Sequence, residues 1–124
     1  MSTRFNDLAW HDATLLEDRI NRRRAGEADE VTMPILWPDG RRSTIRFIGC
    51  YSLVATMNFG VVAEENVRIS SESDDSDELR RHQAMWARLG VDLSGLRMFH
   101  VETNSTASTI TVFARGWREE DEQG

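Results

Sequence analysis

The chain has 124 residues, of which 40% are hydrophobic and 29% charged, so it is long enough for one domain with one core and too apolar to be wholly disordered. Fifteen basic residues against twenty-one acidic ones leave a formal charge of −6, which repels nucleic-acid phosphates and anionic lipid and favours a basic protein partner. Every cationic residue is arginine, which excludes Schiff-base chemistry, a lysine general base and the P-loop lysine.

Along the chain, Ala13–Arg22 fits two patterns. Leu16 and Ile20 share one alternate register, whereas Leu8, Leu15, Leu16 and Arg19 fit a helical stripe. A strand is expected, because the following segments need a neighbour to pair with and Arg22–Glu30 reads as a hairpin connection. Val31, Met33, Ile35 and Trp37 alternate with Thr32, Pro34 and Leu36, which makes a strand with one apolar face. Pro34 has no N–H to give a ladder, so it predicts an edge or a bulge at that point. Pro38-Asp39-Gly40 supplies a preset φ, a turn-bonding carboxylate and a residue that accepts positive φ, and therefore a hairpin. Ser43, Ile45 and Phe47 then alternate with Arg42, Thr44 and Arg46 on the return strand.

Cys50, Leu53 and Met57 lie on one helical face, which predicts a short helix over about 50–58 ending at Asn58 or Gly60. Val61–Ile69 is expected to return to the sheet, and Ser70–Glu78 is an acidic-polar stretch. Asp75-Ser-Asp-Glu78 has the spacing of a capping box and opens the principal helix, about 76–89, which Gly90 closes at C′. Arg97–Thr103 and Ser108–Arg115 form a second hairpin across Asn104-Ser-Thr-Ala-Ser. The expected fold is α+β: a single domain over 1–118 with a mainly antiparallel sheet of about five or six strands, then an acidic flexible tail over 119–124. The apolar strand face (Ile35, Trp37, Ile45, Phe47, Phe99, Val101, Ile110, Val112) is expected to pack on Leu79, Trp86 and Leu89 of the helix.

Chemistry-bearing residues are sparse. Cys50 is the only cysteine, so neither an intramolecular disulfide nor a thiolate-rich zinc site can form, and a reducing, cytoplasmic location follows. The N-terminus has no basic flank before an apolar segment, and no apolar run reaches bilayer length, so neither secretion nor membrane insertion is expected. His11, His82 and His100 stand outside any H-x-x-x-H or H-E-x-x-H spacing, and no glycine-rich phosphate loop occurs. No metal, cofactor or catalytic site is therefore expected. His11 and Asp12, with His100 or Glu102, form the only set from which a small hydrolase could be built. Arg22-Arg23-Arg24 and Arg41-Arg42 make a basic strip only if their hairpins adjoin; solvated arginines guarding strand edges are the simpler account, and no nucleic-acid partner is expected. Any of Trp10, Trp37, Trp86 and Trp117 left exposed would be an interface candidate. The recognition surface is placed at Trp10, His11, Asp12, Asn58, Phe59, Glu64 and Glu65, where acids and aromatics mix in the segments least explained by a core.

Trp10-His11-Asp12-Ala13, Trp37-Pro38-Asp39-Gly40 and Glu102-Thr103-Asn104-Ser105-Thr106 together make the chain resemble a group of small uncharacterised bacterial α+β proteins, which open a strand with W-H-D, continue with a W-P-D-G hairpin and end on an N-S-T turn. The order of elements is also similar to a family of immunity proteins from bacterial polymorphic-toxin systems. Asp18 departs from that pattern, standing where such strands are apolar. The resemblance implies an α+β fold and leaves the activity open; the −6 charge, the missing catalytic constellation and the spare aromatics make a non-enzymatic, immunity-like protein-binding module with a basic partner the leading expectation. A homo-oligomer, for instance a homodimer paired at a sheet edge, is the other reading.

Overall fold

The computed structural model describes residues 4–23, 29–58, 66–103 and 108–121. A short 3-10 turn, Phe5–Asp7, precedes seven strands and one helix: β1 Thr14–Leu15, β2 Arg19–Asn21, β3 Glu30–Leu36, β4 Arg42–Thr56, β5 Val67–Ser73, α1 Asp77–Ala87, β6 Arg97–Thr103 and β7 Thr109–Asp121. The sheet is antiparallel throughout, in the order β1-β3-β4-β7-β6-β5, with β2 beside β1 on the same edge of β3. An α+β fold with a mainly antiparallel sheet and one principal helix is thus what forms, with more strands than the five or six expected.

The segment 13–22 is a strand interrupted once. Leu15 opposes Ile35 and Arg19 opposes Thr32, so four steps along β1–β2 match three along β3. The extra residue is a bulge at Leu16–Asp18. Pro34 lies opposite this irregularity: its carbonyl accepts the Leu16 N–H at 3.0 Å, so its missing N–H faces the bulged edge and costs β4 no hydrogen bond. The β3–β4 hairpin turns as its sequence dictates. Gly40 sits at φ +90, its N–H donates to the Trp37 carbonyl at 3.0 Å, and Asp39 Oδ1 accepts the Arg41 N–H at 2.9 Å.

The two ends of the sheet meet. The Val67 N–H donates to the Ala13 carbonyl at 2.7 Å, the Asp12 N–H to the Val67 carbonyl at 3.3 Å, and Thr14 bridges Asn66. The sheet is therefore a nearly closed barrel, with Val31, Met33, Ile35, Ile45, Phe47, Val67, Phe99, Val101, Ile110 and Val112 buried inside. Phe5 is fully buried among them, its ring 4.9 Å from Trp10, 5.1 Å from Phe99 and 5.5 Å from Trp117. The expected packing of this apolar face on the helix does not occur, because the face buries itself by curling. The helix instead covers the opposite side of the sheet: Leu79, with Leu93, Leu96 and Phe113, forms a second cluster joined by Tyr51, Trp86, Val91 and Met98. Leu89, expected in the core, is 70% exposed.

Helix α1 is capped one residue later than the capping box predicts. Ser76 Oγ accepts the Leu79 N–H at 3.1 Å, while Asp75 pairs with Arg80. At the other end Val91 N–H returns to the Trp86 carbonyl and Gly90 N–H to that of Ala87, both at 3.0 Å. With Gly90 at φ +80, this is a Schellman closure with glycine at C′, as expected.

Three expectations are corrected. The short helix at about 50–58 is strand: β4 pairs with β7 from Ser43↔Asp121 to Thr56↔Thr109. A bulge between Cys50 and Ser52, beside Gly49 at φ +66, adds one residue. Cys50 and Leu53 therefore point to the same core at a spacing of three, which imitates a helix. The tail read from residue 119 is strand through Asp121, because Glu119 and Asp121 bind Arg41 at 2.8 and 3.0 Å and Glu120 binds Arg46 at 2.9 Å. The return strand expected over Val61–Ile69 is β5, which begins at Val67 and takes up Ser70–Ser73 of the acidic-polar stretch; residues 61–65 lie outside the described residues.

At the β3–β4 hairpin, Trp37 Nε1 donates to buried Ser43 Oγ at 2.6 Å, and Ser43 Oγ donates to Glu119 at 2.6 Å. On the outer face Arg46 lies between Glu30 and Glu120 and holds the Glu120 carboxyl below the usual range. That contribution is present at neutral pH and lost as the pH falls through the lowered value.

Phe5→Ala should cost about 3–5 kcal/mol of unfolding free energy, since it empties the centre of the aromatic cluster. Urea denaturation followed by tryptophan fluorescence measures it, and a loss below about 1 kcal/mol would mean that the 3-10 turn does not fill the barrel.

Candidate functional site

The residues picked from the sequence are divided by the fold. Trp10 is a core residue, 3% exposed, its Nε1 donating to the Phe5 carbonyl at 2.8 Å and its ring 5.1 Å from that of Trp37. His11 and Asp12 form an exposed turn, with Asp12 at φ +66 and the two side chains 3.6 Å apart. Their side chains are 87% and 63% exposed, so water competes for both. His100 is on β6, where Nδ1 meets Thr111 Oγ1 at 2.8 Å and Nε2 lies 3.8 Å from Glu102. Among the described residues no hydrogen bond or ion pair joins this pair to His11 and Asp12. The Asn58 N–H donates to Ser108 Oγ at 3.0 Å. Ser108 bonds Thr103, Thr103 opposes Val67, and Val67 bonds Ala13 and Asp12. The fold thus links the His11–Asp12 turn to Asn58. Phe59, Glu64 and Glu65 lie outside the described residues.

A recessed surface forms elsewhere, for a reason of strand length. The last β3 partner along β4 is Phe47, opposite Val31, whereas β7 accompanies β4 as far as Thr56. Where β3 ends and β4 runs on, a cleft of about 310 Å³ opens, lined by Ile20, Val31, Cys50, Tyr51 and Leu53 with Asn21, Arg22, Asp29, Glu30 and Ser52. On the other side of β2 lies a second, more polar depression of about 410 Å³, with Arg19, Arg22, Arg23 and Arg46 around Glu30 and Thr32. Strand β2 is the ridge between them. All three of its residues are exposed, and Ile20 at its crest is 58% exposed.

The electrostatics of this region are mixed. Arg19 binds Glu17 at 2.6 Å, Arg46 binds Glu30, and Arg22 comes within 4.0 Å of Asp29. Arg41 and Arg42 lie at the far end of the β3–β4 hairpin, opposite Trp37 and Leu36, so they do not merge with Arg22 and Arg23 into one strip; Arg24 lies outside the described residues. Burial, reinforced by Asp29 and Glu30, pushes the Cys50 thiol up to about 11, the opposite of what a nucleophilic cysteine requires. Among the described residues no group of three or more His, Cys, Asp or Glu side chains is placed to hold a metal. None of their helices is long and apolar enough to cross a membrane.

No protein-family model, curated protein or solved structure matches the chain.

Sequence reasoning missed Ile20, Asn21, Asp29, Glu30 and Tyr51. A partial signal existed: Ile20 follows Asp18, whose charge argues against a strand wholly in the core, and no charged residue stands between Arg46 and Glu64. All four tryptophans, the other interface candidates, are buried or half-buried.

Asp18 sits in the bulge that separates β1 from β2. Its Oδ1 is buried with no hydrogen-bond partner among the described residues, and burial raises its pKa above the ordinary 3.8. The ionised form is therefore less stable in the fold than in the unfolded chain. Asp18→Asn should raise the melting temperature at neutral pH, with the gain shrinking on acidification and vanishing below about pH 3.8, where both states are protonated. Thermal melts of both proteins across that range check the sign, and a gain independent of pH would assign it to something other than charge burial.

Proposed function

We propose that this protein is a non-enzymatic protein-binding module of the cytoplasm, immunity-like in role, that draws a basic protein partner through its acidic field and docks it on the β2 ridge. The carrying observation is Ile20, a large apolar side chain 58% exposed between two depressions, with arginines on its flanks. An apolar anchor set among arginines and beside half-buried Tyr51 is the composition of an interface centre, where a few side chains supply most of the binding energy. The two charge scales act at different ranges. The net −6 raises the encounter rate with a basic partner, whereas Arg22 and Arg23 take carboxylates of that partner at contact. His11 and Asp12 add no support to hydrolysis, since both are open to water and a general base works best held in a fixed, partly dry geometry.

Ile20→Asp separates binding from folding. Because the side chain is exposed, the substitution should change stability by about 1 kcal/mol or less. Immobilised wild-type protein should retain a partner from a bacterial extract at low salt and release it at high salt, and the variant should retain none. Equal retention by both proteins would remove β2 as the site, and retention indifferent to salt would remove the electrostatic attraction.

A further inference from the structure

The cleft beside β2 has walls of two kinds. Its floor is apolar: Val31 is buried, and Cys50 and Leu53 pack against the barrel core. Its rim carries Asp29 and Glu30, with side chains 28% and 32% exposed, and Arg22, 73% exposed. Arg22 stays 4.0 Å from Asp29, the outer limit of an ion pair, and water screens so open a contact. Arg46 engages Oε2 of Glu30 from the far side of β2, and a carboxylate has lone pairs for more than one donor. At the floor the acids set the field, because burial and then the charges of Asp29 and Glu30 disfavour the Cys50 thiolate.

We infer that this cleft seats one arginine side chain of the protein partner, its aliphatic stem on Val31, Cys50 and Leu53 and its guanidinium between the carboxylates of Asp29 and Glu30. This rests on β2 being the docking ridge, and it names what the partner brings there. Three properties of the cleft choose that occupant. Its volume of about 310 Å³ is at the small end of ligand cavities and gives room for a single long side chain. An apolar floor below an acidic rim matches a side chain with an apolar stem and a cationic tip. Recession favours arginine over lysine, because the guanidinium is the more weakly hydrated cation and meets carboxylates with parallel N–H donors. Arg22, loosely held and open to water, gives way to a guanidinium that reaches hydrogen-bond distance of Asp29, and is then free for a carboxylate of the partner. Ile20 lines the same cleft from its crest, so one partner surface reaches both. The net −6 brings a basic partner in, and the two rim acids fix one of its cations at contact.

The test titrates the intact, isotope-labelled protein with n-butylguanidinium and follows the backbone amides by NMR. The amides of Val31, Cys50, Ser52 and Leu53 should shift in a saturable way. n-Butylammonium should bind more weakly, and n-butylsulfonate, with the same stem and an anionic head, should leave these amides unmoved. Asp29→Asn should weaken n-butylguanidinium by about threefold or more. So should Asn21→Lys, which sets a cation on an exposed rim position and should keep the wild-type melting temperature. Absence of saturable shifts, equal binding of the ammonium, shifts with the sulfonate, or unchanged affinity in both variants would overturn the inference. Partner capture keeps the two readings apart. Capture lost in Ile20→Asp but untouched in Asn21→Lys would remove the cleft and keep the ridge, whereas a protein that takes n-butylguanidinium in the cleft and captures no partner would remove the ridge.

Discussion

The structure depends on the joining of Ala13 and Asp12 to Val67. An antiparallel sheet with one apolar face must cover that face with something, and the one helix among the described residues, eleven residues long, is too small to cover seven strands. Curling until β1 meets β5 solves this by making the face its own cover. The closing bonds are few, the Val67 N–H to Ala13 at 2.7 Å and the Asp12 N–H to Val67 at 3.3 Å. They nonetheless fix the curvature that lets Phe5 reach Phe47, Phe99 and Trp117 at once. Once the inner face is self-covered the helix is free for the outer one, where Leu79 and Trp86 meet Phe113 and Tyr51.

Unequal strand lengths create the recessed surface beside β2. β4 has 15 residues and β7 has 13, whereas β3 has seven. The two long strands must outrun the short one, and the bulge at Cys50 and Gly49 turns β4 as they do. The overrun leaves the cleft beside Val31, which a uniform barrel of the same composition would not offer.

Charge follows the same geometry. The carboxylates of Glu119, Glu120 and Asp121 are drawn into ion pairs with Arg41 and Arg46 at the hairpin end, so a segment that reads as a solvated tail becomes an ordered strand. The acidic stretch near Asp75 and Asp77 is likewise held against Arg80 at the start of α1. The acidic excess is thus spread over a surface laced with arginine pairs and not gathered in a single acidic patch.

The sequence by itself determined the features that rest on local chemistry. Pro38-Asp39-Gly40 had to turn, Gly90 had to close the helix, Pro34 had to mark an irregular edge, and the alternations of β3 and of the N-terminal half of β4 had to make strands with one apolar face. Period and turn residues decide these within a few bonds of each residue. Tertiary structure alone decided what that apolar face packs on, because closure depends on contacts between Ala13 and Val67, far apart in sequence. It also decided that Cys50–Thr56 is strand, since a bulge offsets the alternation by one residue and only the β7 ladder holds the segment extended. Trp10 drew attention as an aromatic beside histidine and aspartate, and its fate in the core was set by Phe5 and Trp37. Ile20 drew none, because exposure on a ridge follows from where two strands part, and that depends on the lengths of β3 and β4 together.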